Sequence, residues 1–282
     1  MLIVQSFWPG VKHKDNIDKV IKHATLSHKF IRKHNFRSLL YTHKDLAFKF
    51  EHIPYDEVRY FDEKDFKDIY KPFWSAGKLI AASKVNEPFY HVDFDLFMFK
   101  DKILEIEKEP FMCLHSEPWL NPKFYETDQE FLEEHFPFLA NDERVHSYNF
   151  GIFGGQDFLA ITETFTEILE FSKTHHKALK EVSEIYNAKY KKLNGSNIDW
   201  DTAVRLEQVL SSSLIRFKIQ LEEVPTWIPK QNIKNIPHVY EEFKKLGIFH
   251  LWCNVVKKNF ELAFGEDLFL KMLESYYLYD KQ

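Results

Sequence analysis

The sequence predicts an α/β domain on a mostly parallel sheet, and three observations predict it. Apolar runs of strand length alternate with amphipathic runs of helical period, and the connections between them are short. The composition, 28 Phe, 13 Tyr and 6 Trp against 8 Gly in 282 residues, supplies the apolar mass of one compact core and little of a linker's character. One domain is therefore expected over residues 1–282 rather than two small ones.

The elements follow in order. Met1 to Trp8 reads as a first strand, because its short apolar run lacks the basic lead, long apolar region and cleavage site of a secretory signal. Ile17 to His34 carries Ile17, Val20, Ile21, Ala24, Phe30 and Ile31 at helical spacing, and Ser38 to Thr42 follows as a strand, giving a βαβ opening. Glu57 to Tyr60 is a third strand, Pro72 to Ser83 a helix with proline in its first turn, and Phe89 to Phe99 the central strand. A short helix at Lys102 to Glu107, strands at Phe111 to His115 and Tyr148 to Phe153, and a long amphipathic helix from Asp157 to about Lys191 continue the alternation. Asn194 to Asn197 punctuates a loop, Asp199 to Ile215 has Ala203, Leu206, Val209 and Leu210 spaced for a helix, and the aromatic tail from Phe249 to Tyr279 is expected to pack back on the domain.

Composition narrows the function. A formal charge of −5 with mixed Lys and Glu argues against nucleic acid as a partner. Two cysteines far apart, Cys113 and Cys253, form neither a thiolate zinc cluster nor a disulfide framework, which fits a reducing, cytoplasmic compartment. No segment approaches the roughly 20 apolar residues that span a bilayer, so peripheral attachment at the inner face of a membrane is the one membrane contact left open. Neither GxxxxGK[ST] nor GxGxxG occurs, so a phosphate-bearing ligand would have to be held by a metal and lysines.

The run Pro88 to Phe99 points to such a site. It drives Asp93 and Asp95 through an otherwise apolar, aromatic stretch, and in a strand both would fall on one face while Val92, Phe94 and Leu96 point to the other. Burying two ionised carboxylates is costly unless they are compensated, and a divalent cation at a strand's end is the usual compensation. Ligands of parallel sheets bind at the carboxyl ends of the strands, where this pair is expected.

Four features converge here: a tryptophan, Trp8, closing the first strand; Trp74 to Leu79 ahead of the carboxylates; Asp93-Phe94-Asp95; and Tyr148-Asn149-Phe150-Gly151-Ile152-Phe153-Gly154-Gly155. Together they resemble the GT-A glycosyltransferases, most closely the DXD-containing bacterial sugar transferases, among them the galactosyltransferases of lipopolysaccharide outer cores. The resemblance covers most of the chain. It implies a single GT-A-like domain with a mixed, mostly parallel central sheet flanked by helices. Residues 1–100 would form a nucleotide-binding half ending in the DXD motif, and 101–282 a donor-sugar and acceptor half with a C-terminal helical tail. It also implies a Mn²⁺ or Mg²⁺ cofactor, a nucleotide-sugar donor, UDP-sugar first, and a glycan or lipid-linked acceptor.

Carried over residue by residue, it makes Asp93, Asp95 and His250 the metal ligands and gives Glu207 and Gln208 the chemistry beneath the reacting carbon. Lys78 and Lys257, or its neighbour Lys258, would meet donor phosphate. Asn149 and Gly151 would border the donor sugar, and Gln5, Trp8, Thr42 and Phe94 would frame the rest of the donor. His115, Glu117 and Trp119 follow a strand end where donor or acceptor sugar would pass. Two other functions stay open on the sequence. One is a phosphatase of the haloacid dehalogenase type, which also uses DxD but on its first strand. The other is a non-catalytic module that binds a nucleotide sugar or carbohydrate.

Overall fold

The structure is a computed structural model, which describes residues 1–8, 17–69, 75–98, 109–116, 148–177, 180, 215, 218–221, 224–228, 242, 245 and 248–250. Strand β1 (Leu2–Phe7) leads through helix α1 (Ile17–Lys33) to β2 (Arg37–Thr42) and, after a 3₁₀ segment, to β3 (Glu57–Tyr60). Helix α2 (Ala76–Ser83) precedes β4 (Phe89–Val92) and β5 (Leu96–Met98). Then come β6 (Met112–Ser116), β7 (Tyr148–Gly155), α3 (Phe158–Thr174), β8 (Thr226–Ile228) and β9 (Ile248–His250).

Seven strands form one sheet in the order β3-β2-β1-β4-β7-β6-β8. The first four are mutually parallel, and β7 is antiparallel to both β4 and β6, so a single strand runs against the rest. This is the mixed, mostly parallel α/β sheet expected. Its strands are apolar almost throughout, as burial on both faces demands. One face carries Leu2, Val4, Phe89 and Phe153 against Leu79 and Ala82 of α2 and Ile161, Phe165 and Ile168 of α3. The other carries Ile3, Tyr90, Val92 and Ile152, with Ile31 of α1 among them.

Helix α1 ends where Asn35 turns to a φ of 54°, letting Phe36 N–H reach back to the Ile31 carbonyl and fixing the entry into β2. Gly154 has a φ of 148°, and a Cβ on it would stand 2.1 Å from the Phe89 carbonyl oxygen, so only glycine lets β7 lie this close to β4.

The main departure from expectation is at Phe89 to Phe99. This is not one strand but two, β4 and β5, separated by a corner: Asp93 N–H donates to the Gly151 carbonyl at 2.8 Å, and Leu96 N–H then donates to the Asp93 carbonyl at 3.1 Å, closing a tight turn. Asp93 and Asp95 therefore flank a turn at the carboxyl end of β4 instead of sharing one strand face. Beyond the turn, β5 leaves the main sheet and pairs antiparallel with β9. That pairing brings the beginning of the tail back onto the domain, as expected.

The helix expected from Asp157 is interrupted at His175, the C-cap of α3; His176, Lys177 and Lys180 are again helical, and the rest of the stretch to Lys191 lies outside the described residues. Strand β8 was not legible in the sequence. The expected helices at Lys102 to Glu107 and Asp199 to Ile215, the loop at Asn194 to Asn197 and the tail beyond His250 lie outside the described residues, apart from Ile215 itself.

Candidate donor site at the carboxyl ends of the strands

In the order β3-β2-β1-β4, the chain builds outward from β1 on one side and then crosses to the other, so a crevice opens between the carboxyl ends of β1 and β4. Asp93 directly follows β4 at this point, and Trp8 directly follows β1. Because β7 is antiparallel to β4, its first residues, Tyr148 to Gly151, lie at the same end.

Lys78 ties these pieces together. It is the only charged residue of α2, whose sequence AGKLIAAS is otherwise small and apolar, and its ammonium donates to both oxygens of Asp93, at 2.7 and 2.9 Å, and to the Phe150 carbonyl at 2.9 Å. Only 12 % of the Lys78 side chain and 20 % of Asp93's is exposed, so water screens the pair weakly. Gly77 makes this reach possible: a Cβ there would stand 2.5 Å from Cβ of Trp8, so glycine lets α2 settle against the end of β1. Beside Gly151, whose N–H donates to the Asn149 side-chain oxygen at 2.9 Å, the backbone of β7 forms the far wall.

Behind Asp93 is His91, two residues earlier on β4 and on the same face. Its ring is 1 % exposed and stacks on Phe153 at 5.1 Å. Its Nε2 is 2.8 Å from Oγ of Ser6 on β1, and its Nδ1 is 3.8 Å from an Asp93 oxygen. Burial, with the Lys78 ammonium close by, holds the imidazole well below the usual histidine range, so it is neutral.

A family of unknown function, DUF6734, has a model that matches residues 1–277. The chain belongs to this family. No curated protein matches it. Among solved structures, mouse xyloside xylosyltransferase 1 in its apo form is similar at a TM-score of 0.43 and 12 % identity, covering 90 % of this chain and 97 % of that one. The galactosyltransferase LgtC in complex with donor and acceptor sugar analogues is similar at a TM-score of 0.43 and 8 % identity, covering 98 % of this chain and 94 % of that one.

In this DUF6734 chain the expected site residues divide into three groups. Lys78, Asp93, Asp95, Asn149 and Gly151 gather around the end of β4. The β5–β9 pairing sets His250 opposite Leu96, the residue next to Asp95, so the backbone of the expected third ligand arrives at the same corner. Among the described side chains no three metal-ligating groups converge.

The second group lines the ends of β1 and β2. Trp8 stacks on Phe66 at 4.7 Å, and Phe66 stacks in turn on His43. Phe94, at the centre of the DFD turn, packs between Phe7 and Phe50. Thr42 closes β2 fully buried, and among the described residues its Oγ1 has no hydrogen-bond partner. Gln5 is buried and committed to the protein: it donates to Ser27 at 3.0 Å and accepts from Tyr55 at 2.8 Å. His115 is buried on β6 in register with Asn149.

The third group, Glu117, Trp119, Glu207, Gln208, Lys257 and Lys258, lies outside the described residues, as does Trp74. Sequence reading missed Ser6 and His91. The signal was present, since strand alternation puts His91 on the face of Asp93. A separate cavity of about 290 Å³, lined by Met1, Arg37, Glu87 and Tyr90 among others, sits at the amino ends of β1 and β4, away from these groups.

Proposed function

We propose that the chain is a metal-dependent glycosyltransferase that moves a sugar from a nucleotide-sugar donor, UDP-sugar first, to a glycan or other hydroxyl acceptor. One observation carries the reading: Lys78 joins the DFD corner, α2 and the Asn149–Gly151 strand in one place, at the crevice where the strand order reverses. These are the parts that a diphosphate bonded to a sugar needs side by side.

The donor set fits a hard divalent ion. Asp93 and Asp95 are oxygen ligands on a corner, with His250 brought beside them by register, and carboxylates with one imidazole suit Mn²⁺ or Mg²⁺. When bound there, the ion would supply positive charge to a departing diphosphate. Lys78 adds an ammonium at the same spot for phosphate oxygens, and Lys257 or Lys258 would add another. Asn149 and Gly151 would edge the donor sugar. Trp8 and Phe94 would frame the base, with Thr42 and Gln5, both fully buried, beneath that end of the sheet. Glu207 would take the acceptor hydroxyl's proton in an inverting reaction, whereas Gln208 or the leaving phosphate would matter more in a retaining one. His115, Glu117 and Trp119 would sit toward the acceptor side. The phosphatase alternative is disfavoured because DFD follows the fourth strand of the chain, not the first. No described helix is long and apolar enough to cross a membrane, so a lipid-linked acceptor would be met at the membrane's face.

Melting temperature across a panel of nucleotide sugars, with and without Mn²⁺, tests the proposal, since a ligand of the native state raises it. A rise with one donor only when Mn²⁺ is present is expected. No rise with any of them overturns it.

A further inference from the structure

We infer that His91, set by Ser6, is a positioning residue for the Asp93 carboxylate; this rests on the proposed metal site. His91 lies on the inner strand β4 at 1 % exposure, clamped face to face against Phe153 at an interplanar angle of 13°. The stack fixes the plane of the ring, and the Ser6 contact fixes which edge faces β1. Nε2 meets the Ser6 hydroxyl at 2.8 Å. Nδ1 has no hydrogen-bond partner among the described residues and faces Asp93 at 3.8 Å.

What each ring nitrogen of an imidazole faces decides which of them carries N–H. A bare Nδ1 lone pair turned toward a carboxylate would be repelled. A Ser6 hydroxyl donating to Nε2 leaves the proton on Nδ1, where it points at the carboxylate. The carboxylate thus favours the Nδ1–H tautomer, Ser6 completes it by donating to Nε2, and His91 presents the donor. The 3.8 Å gap is longer than a hydrogen bond, and the reason is the second partner: Lys78 holds both Asp93 oxygens on its own side. Asp93 stands between an exchangeable partner, Lys78, whose long side chain is also placed to answer a donor phosphate, and a fixed one, His91. Were Lys78 to release the carboxylate, a small rotation of Asp93 would close the gap to Nδ1–H and leave its other oxygen free for a cation. Hydrogen-bonding partners of this kind behind a metal-ligating carboxylate are worth roughly 10–100-fold in metal affinity.

The test is Mn²⁺ affinity, read by the loss of the free-ion EPR signal on purified full-length protein, so no turnover is needed. His91→Phe keeps the stack on Phe153 and removes the donor; it is expected to weaken Mn²⁺ binding by about 10–100-fold. In His91→Asn the side-chain amide nitrogen falls near the place of Nδ1, and this variant is expected to recover most of the loss. In His91→Gln the amide falls near the place of Nε2, and no recovery is expected. A ¹⁵N spectrum of the wild type should show Nδ1 as the protonated nitrogen. A general packing defect would lower affinity in all three variants alike and would move their melting temperatures in step. Equal affinity in wild type and His91→Phe, or no advantage of Asn over Gln, overturns the inference. Asp95→Ala separates this from failure of the underlying reading: if that variant binds Mn²⁺ as the wild type does, or if the wild type binds none, the metal site itself falls and the positioning role with it.

Discussion

Replacing Lys78 by methionine should move three observables in different directions. The ammonium makes charge-assisted contacts to Asp93 at 2.7 and 2.9 Å and a further bond to the Phe150 carbonyl, with little water at either side chain. Removing one partner of such a pair leaves a charge poorly compensated, which costs about 3–5 kcal/mol. For a chain of this size that lowers Tm by about 6–20 °C, taking roughly 2–4 °C per kcal/mol. A cation that uses Asp93 must first displace Lys78. Lys78 makes two charged hydrogen bonds to this carboxylate, each worth about 1.5–3 kcal/mol net; freeing the one oxygen a cation would take should tighten Mn²⁺ binding by about tenfold to a hundredfold, at 1.4 kcal/mol per decade. Nucleotide-sugar affinity should fall, because the diphosphate loses a cation. Calorimetry of Mn²⁺ and of donor, with thermal melts of the metal-free protein, reads all three. If Lys78→Met binds Mn²⁺ no better than the wild type, Lys78 is not an internal stand-in for the metal and the reasoning fails.

Two further outcomes test the framework that carries the site. Gly154→Ala drives a methyl into the Phe89 carbonyl at a φ that side chains rarely adopt, and should cost about 3 kcal/mol or more, read as a Tm lowered by about 6–12 °C; an unchanged Tm would mean that β7 does not pack on β4 as described. His28, buried against Ser38, is held down to about 4, chiefly by burial and then by Arg32. Its folded value lies below the unfolded 6.5, so its contribution is fully present above pH 6.5 and is lost as pH falls toward 4, about 3 kcal/mol in all. Urea denaturation across that window should show a shallower pH dependence in His28→Gln, and an unaltered slope would refute the assignment.

The parallel half of the fold was legible because its inner strands β1, β2 and β4 are apolar almost throughout, with amphipathic helices between them. Ile17 to Lys33 could be read from spacing alone. The corner at Asp93 was not legible: the apolar run Leu96 to Met98 continues the pattern of Phe89 to Val92, and only the turn closed by Leu96 N–H on the Asp93 carbonyl, just past the last β4–β7 bond, ends the first strand. Strand β8, three residues long, carries too little pattern to be seen. Of the site, Lys78, Asp93, Asp95, Asn149 and Gly151 were found from motif order and do come together. Gln5 was expected toward the donor, yet its amide is spent on Ser27 and Tyr55, contacts set by tertiary packing that a linear pattern does not contain. Ser6 and His91 went unnoticed for the converse reason: a serine and a histidine in apolar strands look like ordinary tolerated polar residues until the sheet sets them 2.8 Å apart.

The central claim is that the DFD corner holds a cation through which a nucleotide diphosphate is bound, and its most direct measurement is UDP binding by calorimetry, with and without Mn²⁺, in the wild type and in Asp95→Ala. Binding only when Mn²⁺ is present in the wild type, and its loss in a variant that melts as the wild type does, is the expected result. UDP binding that is equally tight without Mn²⁺, or that survives in Asp95→Ala, would contradict it.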